Sequence, residues 1–216
     1  MNQSLDNVLT VFPTTIFQSY IEENTDILKT NKHFIYSAQS QENYKVSTGQ
    51  NFRILEGFPN IRDILLKKFK QFAFECLNYN VDFMITTSWV TITDPQKYME
   101  SGSQYHLHKN SFYSGVYYYD EYDGDTAPLE FLNPLEYHKN HLIVPSKDQY
   151  NILNGDTYCI RPKKKMLLLF PSYLKHKVGQ NTSNKTRLSL AFNIVPVGSY
   201  GHGDSSMNSN WLYRPN

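Results

Sequence analysis

From Asp82 to Val195 the chain is a succession of short apolar and aromatic runs with no helical period between them. The runs are 83–93, 111–120, 129–132, 141–144, 157–160, 166–170 and 187–195. Asp94-Pro95, Asp123-Gly124, Asn133-Pro134, Asn154-Gly155 and Pro171-Ser172 lie between them, and all five pairs favour turns. Short strands joined by turns predict an antiparallel sandwich or barrel, with any helices packed outside it. Seventeen Tyr and thirteen Phe, with many Val, Ile and Thr, suit that sheet.

Helical spacing appears only earlier. Ile61, Ile64, Leu65, Phe69, Phe72, Cys76 and Leu77 recur every three or four residues and form one apolar stripe. This predicts a helix starting near Pro59-Asn60, capped by Asn60, with Asp63 in its first turn and Asn78-Tyr79-Asn80 at its end. A weaker helical pattern covers 24–37. The expected organisation is a single domain over 1–216: a flank of helices and strands at 1–81, a β core at 82–197 and a loose Gly/Ser-rich tail at 198–216, anchored by Trp211 and Tyr213.

With 40% apolar and 19% charged residues, the chain is globular rather than disordered. A net charge of +1 disfavours a phosphate-driven nucleic-acid partner. Cys76 and Cys159 read as buried free thiols in a reducing compartment. No apolar run approaches the roughly 20 residues of a membrane span, and the N-terminus carries no basic-then-apolar leader. Together these predict a cytoplasmic protein, or one of the host cytoplasm if a phage encodes it. The triplets beginning at Asn181 and Asn184 read as a polar loop.

The chemistry concentrates in Tyr105-His106-Leu107-His108. Side chains alternate faces along a strand, so His106 and His108 point the same way. Two imidazoles on one face at a strand end suit a transition metal and require a third ligand from elsewhere. His176, which follows the strand Leu168-Leu169-Phe170 and the turn Pro171-Ser172, can return to the same pocket. Eleven residues on (187 − 176 = 11), Arg187 and Ser189 again share a face. A guanidinium beside a hydroxyl is suited to a carboxylate. By contrast, His138 and His141 lie in a polar loop, His33 and His202 carry no signal, and Lys163-Lys164-Lys165 marks a turn.

These pieces, in this order, resemble the Fe(II)/2-oxoglutarate-dependent dioxygenase superfamily, and more narrowly its phage and bacterial branch with a His-x-His, SGVYY and FPS…H pattern. The matching residues are His106-Leu107-His108, Ser114-Gly115-Val116-Tyr117-Tyr118, Leu129 to Pro134, Leu169-Phe170-Pro171-Ser172, His176-Lys177-Val178 and Arg187 to Asn193, with Phe12-Pro13-Thr14 upstream. The resemblance implies a double-stranded β-helix, jelly-roll or cupin-like, with N-terminal flanking α-helices. It implies iron on His106, His108 and His176, with O2 and 2-oxoglutarate as co-substrates. Arg187 and Ser189 would hold the distal carboxylate. Tyr118 would join them if Val116 and Tyr118 face inward, leaving Tyr117 and Tyr119 against the helices.

The superfamily usually has Asp or Glu where this chain has His108. Asp120 and Glu130 are the candidate replacements. Two other readings stand beside the oxygenase: a three-histidine cupin that does not use 2-oxoglutarate, and a non-catalytic jelly roll for structure or binding. The substrate, a protein side chain or a small molecule, is left open, as is assembly into a homodimer. Specificity is expected in the loops 94–104 and 120–128.

Overall fold

The computed structural model describes residues 9–25, 28, 36–38, 44–47, 52–96, 102–135, 146 and 148–209. Seven strands form the larger sheet: β1 (Phe17–Tyr20), β2 (Tyr36–Ala38), β3 (Tyr44–Ser47), β4 (Asp82–Thr93), β5 (Tyr113–Tyr117), β8 (Met166–Pro171) and β10 (Arg187–Val197). They lie in the order β1-β8-β5-β10-β4-β3-β2, and every pairing is antiparallel. A smaller antiparallel sheet, β7-β6-β9, contains β6 (Leu129–Leu132), β7 (Thr157–Ile160) and β9 (His176–Val178). This is the mainly β, two-sheet architecture that the turn-separated runs predict.

Period-two alternation sorts the apolar residues into two layers. Leu167, Leu169, Leu190, Phe192, Tyr113 and Tyr117 face the long helix α1 (Pro59–Glu75) and meet its buried stripe of Ile61, Leu65, Phe69, Phe72 and Ala73. Leu168, Phe170, Val116, Tyr118 and Ala191 face the other way and pack against Leu129, Phe131 and Val178 of the smaller sheet. Tyr117 and Tyr119 lie on the helix side and Tyr118 on the inner side, as the parity argument predicts.

Two backbone features maintain this sorting. Opposite Asn193 and Ile194 the register on β4 jumps from Thr87 to Ile85, so Thr86 is the extra residue of a bulge. Phe83 and Val90 can therefore both face the helix although one number is odd and the other even. Gly115 lies under the Phe192 ring, where an added Cβ would come within 2.2 Å of Cζ. No other residue fits beneath that ring without displacing it.

Several expectations are corrected. Helix α1 starts at Pro59 with Phe58 as its N-cap residue, so Asn60 lies inside the helix and caps nothing, and Asp63 falls beyond the first turn. Proline at the first helical position, where an N–H would be unpaired anyway, sets the start instead. The helix ends with Asn78 in the left-handed region, φ 55°. Cys76 therefore lies past the last helical turn, and Cys159 sits on the edge strand β7; both thiols are free but exposed. The predicted helix at 24–37 lies mostly outside the described residues, and its last two, Tyr36 and Ser37, belong to strand β2. The predicted strand 141–144, His33, His138, His141, Trp211 and Tyr213 also lie outside them. The tail is not loose up to Ser209: β11 (Ser199–Tyr200) pairs with β12 (Met207–Asn208). Asn181 of the polar loop is buried, with Nδ2 donating to the Thr93 and Lys185 carbonyls.

Candidate metal centre and its carboxylate pocket

The segment before β5 runs along β9: the Ser103 amide donates to the Val178 carbonyl at 3.1 Å, and His106 bridges His176. The His106 amide donates to the His176 carbonyl at 3.0 Å, and the His176 amide donates to the His106 carbonyl at 2.9 Å. The His108 amide donates to the Ser172 carbonyl at 3.0 Å, tying it to the turn that precedes His176. Tyr105 donates its phenol proton to Glu130 on β6, holding the same segment from outside. These ties bring the three histidines together, with ligand-capable nitrogens all within 4.8 Å of one another. Trp89 stacks on the His108 ring at 5.3 Å.

The second nitrogen of each ring decides what the cluster can do. Nδ1 of His106 lies 2.8 Å from the Gln104 carbonyl, and Nδ1 of His176 lies 2.8 Å from the Leu174 carbonyl. A carbonyl only accepts, so both rings carry their proton on Nδ1 and leave the Nε2 lone pair free. Nδ1 of His108 lies 2.9 Å from Oδ1 of Asn193. Burial first, and then the neighbouring His106, depress the two inner imidazoles, His108 to about 4 and His176 to about 3. Both are neutral at physiological pH. Neutral imidazoles with free, converging lone pairs are ligands for a divalent transition metal.

Among the described residues no carboxylate joins the cluster. Glu130 and Asp120, the two candidate replacements, are both elsewhere. Glu130 alternates with the inward Leu129 and Phe131, so it faces outward, where it meets Tyr105 and lies 3.4 Å from Lys177. The Asp120 amide donates to the Tyr122 hydroxyl in the loop beyond β5.

Along β10 from this cluster, Arg187 is buried with 1% of its surface exposed. Its Nε donates to the Ala127 carbonyl at 3.1 Å, Nη1 to Ser189 Oγ at 3.0 Å and Nη2 to the Tyr118 hydroxyl at 3.1 Å. Thr91 Oγ1 lies 2.7 Å from Ser189 Oγ. Burial raises the Tyr118 phenol above its usual value, so it stays protonated. Every acceptor around Arg187 is neutral, and no acidic side chain pairs with it among the described residues. A buried guanidinium is expensive without an anion, and paired donors of this kind are suited to a carboxylate.

One cavity links the two halves. Arg187, Ser189, Val116, Ala191, Phe170 and all three histidines line it, and it encloses about 40 Å³. It opens at His106 and His108 into a groove of about 520 Å³ bordered by Tyr44, Trp89, Tyr105, Leu107 and Lys109. Gln104 and Ser103 of the 94–104 loop border the groove. The 120–128 loop instead closes over Arg187 through Ala127. Sequence reasoning missed Asn193, Trp89 and Thr91. Parity from Arg187 places Asn193 on the inward face, so a signal for that residue existed.

Two antiparallel sheets closing on three imidazoles, with a cationic pocket behind, define the class: a double-stranded β-helix built around a metal-type cavity. The chain matches a 2OG-Fe(II) oxygenase family model over residues 87–193, which spans β4 through β10 to Asn193. No curated protein sequence matches it. An oxidoreductase of the 2OG-Fe(II) oxygenase family from Burkholderia pseudomallei superposes with a TM-score of 0.57 at 10% identity, over 84% of this chain and 83% of that one. HygX from Streptomyces hygroscopicus, solved with nickel and 2-oxoglutarate bound, gives 0.56 at 9% identity over 85% and 83%. SnoK, a non-heme alpha-ketoglutarate-dependent carbocyclase from nogalamycin biosynthesis, gives 0.55 at 9% identity over 92% and 85%. At such identities the likeness to these structures is one of fold. The family match over residues 87–193, which contains every candidate site residue, is what places the chain in the 2OG-Fe(II) oxygenase superfamily.

Proposed function

We propose that this protein is an Fe(II)- and 2-oxoglutarate-dependent oxygenase acting as a hydroxylase, with His106, His108 and His176 as the metal ligands. The observation that carries the reading is the pairing of three converging imidazoles with a buried guanidinium that has no acid partner among the described residues. Iron with O2 and 2-oxoglutarate would supply the oxidation: the oxoacid becomes succinate and CO2, and one oxygen atom enters a substrate C–H bond.

The chain's own groups have separate tasks. Arg187 offers the paired donors of its guanidinium to the distal carboxylate, and the Ser189 and protonated Tyr118 hydroxyls turn from the guanidinium to the anion. Val116, Leu129, Phe170 and Ala191 give the inner cavity its apolar wall. The groove is the wider of the two spaces, so the substrate itself, a protein side chain or small molecule, enters by it. Three neutral ligands in place of two histidines and a carboxylate leave one more positive charge on the metal, which favours an anionic co-substrate. The proposed setting is the cytoplasm; no helix among the described residues is long and apolar enough to cross a membrane.

The second reading, a three-histidine cupin that does not use 2-oxoglutarate, is favoured by the missing carboxylate. It gives Arg187 no task. Release of labelled CO2 from 1-labelled 2-oxoglutarate separates the two. The oxygenase releases CO2 in an Fe(II)-dependent manner, even without substrate, and His176→Ala abolishes it. Metal binding with neither CO2 release nor 2-oxoglutarate binding would support the cupin.

A further inference from the structure

His106 and His176 face backbone carbonyls, but His108 faces a side-chain amide. An amide can present either an acceptor or a donor, so the state of His108 depends on how Asn193 is held. Asn193 sits on the inner face of β10, opposite Ser114 of β5 and Thr87 of β4. Its Oδ1 accepts from His108 Nδ1 and from Ser114 Oγ, both at 2.9 Å. Its Nδ2 donates to Thr87 Oγ1 at 3.0 Å. Ser114 Oγ also lies 2.8 Å from Ser172 Oγ, and the Ser172 carbonyl holds the His108 amide. Thr87 faces the amide by the same strand alternation that turns Trp89 and Thr91 into the cavity.

We propose that Asn193 is a positioning residue that fixes the tautomer of His108 and so decides whether the centre has three nitrogen ligands or two. The proposal rests on the three-histidine reading above. With Oδ1 toward the ring, the His108 proton must sit on Nδ1, and Nε2 offers its lone pair to the metal. With the amide turned end for end, Nδ2 would donate to Nδ1 instead. The ring proton would then occupy Nε2, and His108 could not coordinate a metal beside His106 and His176. Thr87 does not forbid the turn, because a hydroxyl can donate as well as accept. Amide orientation and metal binding are therefore one linked equilibrium. Partners of this kind commonly change metal affinity 10–100-fold when removed.

The test compares Asn193→Leu, which has similar size and no polar atom, with Asn193→Asp, which can only accept. Anaerobic Fe(II) and Zn(II) affinities are measured by chelator competition. Histidine tautomers in the Zn(II) form are read by 15N NMR of labelled histidine. The wild type and Asn193→Asp should give three Nδ1–H, Nε2-bound rings. Asn193→Leu should bind Zn(II) about 10–100-fold more weakly, with the His108 ring in mixed tautomers. Thr87→Val, which leaves Asn193 in place but loosens it, should shift affinity in the same direction by less. Wild-type affinity and three bound rings in Asn193→Leu would overturn the proposal. Equal losses in the Leu and Asp variants would overturn it too, since packing alone would then explain both. A wild type that binds neither metal would instead overturn the three-histidine reading beneath it.

Discussion

Arg187→Met separates the two roles a buried guanidinium can have, structural and functional. The change removes the bonds to the Ala127 carbonyl, Ser189 Oγ and the Tyr118 hydroxyl. Three bonds to a charged donor are together worth about 4.5–9 kcal/mol. It also removes a buried charge without an anion, whose desolvation costs several kcal/mol. The two nearly cancel, so the ligand-free protein should change in stability by no more than about 2 kcal/mol, or ~4–8 °C in Tm for a chain of this size. Binding behaves differently. Removing one side of a buried charge pair costs about 3 kcal/mol within the usual range, or roughly a 160-fold rise in Kd. The assay is thermal unfolding of Zn(II)-loaded protein, which cannot turn over, with and without 2-oxoglutarate at 100 times the wild-type Kd. The wild type should gain ~2.7 kcal/mol, about 5–11 °C. Arg187→Met should gain only ~0.3 kcal/mol, about 1 °C. Arg187→Lys, which keeps the charge but not the fork, should fall between. A full ligand shift in Arg187→Met would refute the assignment. A collapse of the ligand-free protein in both variants would make Arg187 a structural residue.

Acid should weaken the metal-free protein. His108 and His176 titrate at about 4 and about 3 when folded but near 6.5 when unfolded, so the unfolded state binds more protons between those values. Stability is then full well above pH 6.5 and falls on acidification, by about 4 kcal/mol at pH 5, and urea titrations across pH 4–8 check it. A flat profile would contradict the neutral, buried rings. Gly115→Ala drives a Cβ into the Phe192 ring and should cost about 1–3 kcal/mol. Phe192→Leu in the same chain should recover part of that loss, and a double-mutant cycle showing no coupling would remove the explanation. Glu130→Gln should leave metal affinity unchanged, since Glu130 faces Tyr105 and Lys177 rather than the cluster. A tenfold loss in a chelator competition would mean that the carboxylate reaches the metal after all.

The chemistry-bearing residues were legible because strand alternation is a strict rule. Period-two counting along β10 puts Arg187 beside Ser189, and along β5 and its exit it turns Tyr118 inward with Val116. His106 and His108 do converge, but the stretch that carries them is not a strand, and only His106 bridges, to His176. The turn pairs were equally legible, and they bounded β6 and β7 to the residue. What stayed hidden depends on long-range partners. Strand β9 is three residues, His-Lys-Val, with too little pattern to announce itself; β6 on one side and His106 on the other create it. The bulge at Thr86 reverses the parity of β4 halfway along, which no local reading of an unbroken apolar run can detect. The exposed cysteines follow the same logic. Cys76 continues the apolar stripe of a helix that has already ended, and Cys159 lies on an edge strand with its first three residues open to solvent. Asn193 marks the boundary. Its inward face followed from Arg187 by counting, but its task requires knowing that His108 arrives from 85 residues away.

The central claim is that His106, His108 and His176 hold iron beside a 2-oxoglutarate anchored on Arg187. Anaerobic titration of the metal-free protein with Fe(II) and then 2-oxoglutarate tests it most directly, read by the visible charge-transfer band of the chelated complex. The account predicts a band that vanishes in His176→Ala and needs roughly a hundredfold more co-substrate in Arg187→Ala. Iron binding with no band at saturating 2-oxoglutarate would contradict it.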